Sequence, residues 1–63
     1  SDTTFNAFLT RCRMEAAIKL LQEKPNLLLR DVAVCVGYED SRYFTKVFHQ
    51  YTGKPPSQFT GKG

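Results

Sequence analysis

The chain has 63 residues, 41% apolar and 24% charged, with nine basic against six acidic side chains and a formal net charge of +3. That length allows one small domain, which hides only about 60% of the surface of its unfolded chain, while an ordinary globular composition argues against disorder. No apolar run approaches the ~18 residues of a membrane span and no signal peptide is visible, so a soluble, cytoplasmic chain without membrane contact is expected, and the modest basic excess leans towards polyanionic partners.

The first element is expected as one long helix from about Phe5 to Lys24, a stretch free of glycine and proline whose second half is rich in good helix formers. Thr3 or Thr4 can cap its start, and Lys24-Pro25-Asn26 ends it, because the residue before a proline is pushed out of the helical region. It carries two apolar stripes. Phe5, Phe8, Leu9, Cys12 and Ala16 fall on one side, and Met14, Ala17, Ile18 and Leu21 on another. The second stripe can pack on the rest of this chain, whereas the first looks towards a body that the chain does not supply; the alternative is a core that wraps both sides. Because the sequence opens on Ser1 rather than methionine and closes on Gly61-Lys62-Gly63, it reads as a segment of a longer protein.

A second helix is expected over Leu28 to Val36, with Leu29, Val32, Ala33 and Val36 at i, i+3, i+4 and i+7, closed by Gly37 in a left-handed conformation. A third begins after Tyr38-Glu39-Asp40, capped by Asp40 or Ser41, and continues to about Tyr51, where Thr52 and Gly53 end it. Pro55 and Pro56 lead into a last short turn at about Ser57 to Thr60, whose Phe59 can return to the core.

Two short helices joined by a glycine turn, with small Ala33 four residues before Gly37, form a helix-turn-helix pattern with a connection about one residue longer than the simplest repressor form. On the third helix Phe44, Val47, Phe48 and Tyr51 make the apolar stripe, leaving Arg42, Thr45, Lys46 and His49 on the opposite face. A DNA major groove suits that row, since it admits one helix and presents guanine acceptors and thymine methyl groups. Arg42 could bridge guanine N7 and O6, Thr45 could meet a thymine methyl or a phosphate, and Lys46 a guanine or the backbone, while Ser41 could bond a base edge or a phosphate if it is not the cap. His49, Lys54 and the start of the last turn at Ser57 are candidate phosphate contacts, which set register without reading bases. The same row is also what a solvated helix face shows, and Glu39 and Asp40 would repel phosphates unless they cap or point away.

The cysteines, Cys12 and Cys35, are too few for a disulfide framework, and with His49 as the only histidine they cannot supply a zinc site; two buried, reduced thiols are expected. No nucleophile-base-orienter set and no phosphate-binding glycine loop is present, which argues against an enzyme, and neither a cofactor nor a small-molecule ligand is expected.

The residues Arg13, Ala17, Leu20, Leu21, Val32, Ala33, Gly37, Tyr38, Tyr43, Phe44, Phe48, Gly53, Pro56 and Phe59, at their spacings, resemble the C-terminal part of the DNA-binding domain of AraC/XylS-type bacterial transcription regulators. The resemblance covers the chain from about Phe5 onwards. It implies an all-α fold: a long linker helix over residues 1–26, then a second helix-turn-helix unit with a short terminal helix over residues 27–63. In such regulators the linker joins two helix-turn-helix units, each placing a recognition helix in the major groove, so the first unit would lie before Ser1 and would cover the Phe5, Phe8, Leu9 and Cys12 stripe. The base-reading positions of the second unit fall on Ser41, Arg42, Thr45 and Lys46. Leu28 stands where a capping serine or threonine is common, Pro55 where another cap is common, and Thr60 where a basic residue often follows the final aromatic. The implied partner is double-stranded DNA. A rival reading is a protein-interaction module that contacts RNA polymerase or a partner chain.

Overall fold

The computed structural model describes residues 2–59. Three α-helices follow in chain order, α1 (Asp2–Glu23), α2 (Leu29–Cys35) and α3 (Ser41–Thr52), and a 3₁₀ turn (Pro56–Phe59) completes the described chain. Among the described residues there is no strand, and no helix is long and apolar enough to cross a membrane.

The second stripe of α1 is the one that folds inward. Met14, Ala17 and Leu21 are buried with Ile18 packed beside them, and they meet Val32 and Ala33 from α2, Val36 just after it, and Phe44 and Phe48 from α3. Complete burial of a phenylalanine contributes about 1.5–3 kcal/mol relative to leaving it in water, so Phe44 and Phe48, both 0% exposed, anchor α3 to this small core. Phe59 comes back as expected, meeting Phe48 edge to face with ring centres 5.1 Å apart. The other stripe stays outside: Phe5 is 63% and Phe8 58% exposed, so the core does not wrap both sides of α1.

The helix ends differ in detail from the sequence reading. Since α1 already includes Asp2, Thr3 and Thr4 lie inside its first turn rather than capping it. At its other end the Lys24 N–H donates to Leu20 O at 2.7 Å before Pro25 stops the ladder. Leu28 stands outside α2 as its N-cap, extended and without a side-chain cap bond. Leu29, expected among the inward positions of α2, is 38% exposed because the first turn of that helix overhangs the core. Two hydrogen bonds close α2, from Tyr38 N–H to Ala33 O at 2.8 Å and from Gly37 N–H to Val34 O at 3.1 Å. This paired closure requires a left-handed residue after the cap, and Gly37 takes it with φ 104°.

Asp40 is the cap of α3, its carboxylate accepting from the Arg42 N–H at 2.9 Å. Gly53 closes the same helix with φ 83°, its N–H donating to His49 O. The last turn spans Pro56–Phe59 and is 3₁₀ rather than α, opened by buried Pro56; the expectation at Thr60 lies outside the described residues. Cys12 and Cys35 are both exposed, contrary to the burial expected of free thiols. Cys12 sits on the outward stripe of α1, and Cys35 follows exposed Val34 on the side of α2 turned away from Val32 and Ala33.

Candidate nucleic-acid interface

The aromatic anchor of α3 decides what the helix presents. With Phe44 and Phe48 inside, Arg42, Lys46 and His49 are all exposed, and at 3.6 residues per turn they project within about 60° of one another. They form one basic strip along the outer face. The Arg42 side chain is 94% exposed, with Nε 3.9 Å from Asp40 Oδ1. Such a contact in water contributes little, so the guanidinium is free to turn outward.

Ser41 and Thr45 are placed differently. Both are half-buried on the flank of the strip, and the Thr45 hydroxyl donates to Ser41 O at 2.9 Å. That bond uses the hydroxyl proton, so Thr45 has its methyl group and oxygen lone pairs left for a partner. Ser41 is the first residue of α3 and not its cap, because Asp40 fills that role. Of the two acidic residues before the helix, Asp40 therefore has the capping task, while Glu39 is exposed and makes no cap.

Lys54 and Ser57 lie beyond α3. Lys54 is exposed and follows Gly53 in a loop tied by Thr52, whose hydroxyl bonds Phe48 O at 2.9 Å and Lys54 O at 2.8 Å and accepts the Lys54 N–H at 3.1 Å. Ser57 is exposed on the 3₁₀ turn, beside a shallow apolar hollow that Leu21, Leu27, Leu29 and Pro56 also line. Tyr51, expected on the inward stripe, is 44% exposed because the core ends one turn earlier at Phe48.

Two exposed residues of α3 escaped the sequence reading. Gln50 follows Lys46 by four residues and extends the outer strip, and Tyr43 is 56% exposed beside Arg42. The i+4 step from Lys46 was the available signal for Gln50, whereas Tyr43 is named only among the residues of the family resemblance and is given no place on the helix.

The family profile described as a helix-turn-helix domain matches residues 1–62. The chain belongs to the AraC-type helix-turn-helix family. It is similar to a transcriptional regulatory protein, YesN, of Bacillus subtilis, with 36% identity over 59 residues, covering 92% of this chain and 16% of that protein. It is also similar to the transcriptional activator RhaR of Salmonella arizonae and of Salmonella newport, with 41% identity over 56 residues, covering 89% of this chain and 20% of each activator. The chain thus spans at most a fifth of the length of these relatives. No solved structure gives a significant match. Within this family the all-helical order of a long helix, a helix-turn-helix pair and a short final turn supports DNA binding as the role of the domain.

Proposed function

We propose that this chain is the second helix-turn-helix unit of a bacterial transcription regulator and that α3 enters the major groove of double-stranded DNA. The observation that carries this reading is the exposed strip of Arg42, Lys46 and His49 directly opposite buried Phe44 and Phe48. Arg42 and Lys46 read bases; Ser41 and Thr45, on the flank, contact base edges or a thymine methyl. His49, Lys54 and Ser57 lie against phosphates and fix the register. In this arrangement α1 is the linker, and its exposed Phe5 and Phe8 face seats the first unit.

A base-substitution series separates the two classes of contact. Arg42→Ala is expected to remove about 1–3 kcal/mol of discrimination at one base pair, while Lys54→Ala weakens every duplex alike and lowers the salt slope by about one. Equal behaviour of the two variants across the series would overturn the assignment. The rival, a module binding RNA polymerase or a partner chain through the exposed α1 face, predicts an interaction that survives added salt, whereas phosphate contacts weaken steeply.

A further inference from the structure

One side chain joins α1 to the turn that precedes α3. Arg13 is half-buried, with its guanidinium carbon 5.0 Å from the centre of the Tyr38 ring. It also lies against Gly37: a β-carbon there would stand 3.1 Å from Arg13 Nε and 3.2 Å from Cζ. Buried Tyr38 continues the contact, its ring centre 5.9 Å from that of Tyr43 and 5.7 Å from that of Phe44. Those two residues immediately follow Arg42 in the first turn of α3.

Resting on the reading of α3 as the groove-entering helix, we propose that Arg13 is a positioning residue for base recognition. Its guanidinium, held between Gly37 and the Tyr38 ring, sets the angle at which α3 presents Arg42 and Lys46. The planar, weakly hydrated guanidinium suits that place, because it can lie over an aromatic ring while its flat face meets a backbone without a β-carbon. Gly37 therefore has two tasks: it supplies the positive φ that closes α2 and the space that admits Arg13. A lysine would retain attraction to the ring but could not fill the flat space beside Gly37. No contact between Arg13 and DNA is required; its effect passes through Tyr38.

Base preference distinguishes this role from simple stabilisation. A variant that is only less folded raises the apparent dissociation constant of every duplex by one factor, the inverse of its folded fraction. Preference ratios then stay fixed. A change in the angle of α3 alters the ratios themselves, because it moves Arg42 relative to particular base edges.

The experiment takes the preferred duplex selected from a random pool, a series with each base pair replaced in turn, and the wild-type, Arg13→Met and Arg13→Lys chains, with thermal unfolding followed in parallel. In Arg13→Met the preference at the base pairs read by α3 is expected to fall about two- to fivefold, the equivalent of one partly exposed cation–π contact, with the salt slope unchanged. Arg13→Lys should restore part of it. A common factor across all duplexes that matches the folded fraction would overturn the proposal and make Arg13 a stability residue. Should Arg13→Met not fold, Arg13→Lys decides alone, and an unchanged ratio in that variant overturns the proposal. A wild-type chain without preference at any base pair would instead remove the reading of α3, and this inference with it.

Discussion

Two glycines in this chain share a left-handed backbone but differ in what surrounds them. Gly37 at φ 104° faces the Arg13 guanidinium within van der Waals reach, whereas Gly53 at φ 83° has open space where a β-carbon would be. Alanine at either site strains the backbone by about 1–2 kcal/mol, but Gly37→Ala also requires the Arg13 guanidinium to give way by a few tenths of an ångström. Chemical denaturation should therefore show the larger loss for Gly37→Ala, and Arg13→Met should narrow the difference between the two glycine variants. Equal losses in the wild-type background would mean that the guanidinium moves aside at no cost. The sequence identified both glycines as helix stops, since the residue type states the backbone need. It did not disclose the second demand on Gly37, because the distance from Arg13 to that turn exists only after α1 and α2 have packed.

At the level of helices, the ends of α2 and α3 offer a matched pair of tests. Asp40 caps α3 with a bond to the Arg42 N–H, so Asp40→Ala should cost about 0.5–2 kcal/mol in an unfolding titration. Leu28 occupies the corresponding position of α2 with the extended backbone of a cap, φ −65° and ψ 145°, but without a cap bond, and it is 54% exposed. Leu28→Ser is expected to raise stability by about 0.5–1 kcal/mol, because it adds an acceptor for an orphan N–H and gives up little burial; a drop would show that Leu28 packs more than its exposure implies. Periodicity made the inner stripes of α1 and α3 legible at Met14, Ala17, Leu21, Phe44 and Phe48. It failed at Leu29 and Tyr51, which have the right phase but lie past the ends of a core only a few turns deep. Cys12 and Cys35 are exposed for a different reason, since both lie on helix faces turned away from the core.

The described residues measure 39 × 21 × 19 Å, elongated because α1 runs on well beyond the residues it packs against. Replacing an outward ring by a polar residue, as in Phe8→Gln, should therefore shift the unfolding free energy of this chain by no more than about 0.5 kcal/mol. A loss of several kcal/mol would mean that Phe8 is covered in solution. On the proposal that α3 alone enters the groove, the chain is expected to bind duplex DNA with a dissociation constant of about 10⁻⁴ to 10⁻⁶ M, falling off steeply with salt. Nanomolar binding by this chain would show that the unit needs no second one.

The outer end of α1 has a mechanical corollary. From Thr4 to Cys12 every side chain is open or only half-covered, so about 12 Å of helix stands clear of the core at 1.5 Å per residue. A tilt of about 10° there swings the far tip by roughly 2 Å, a large part of the 3.4 Å rise between stacked base pairs. The burial of Met14, Ala17 and Leu21 and the contact of Arg13 with Tyr38 together fix where the outward end of α1 points.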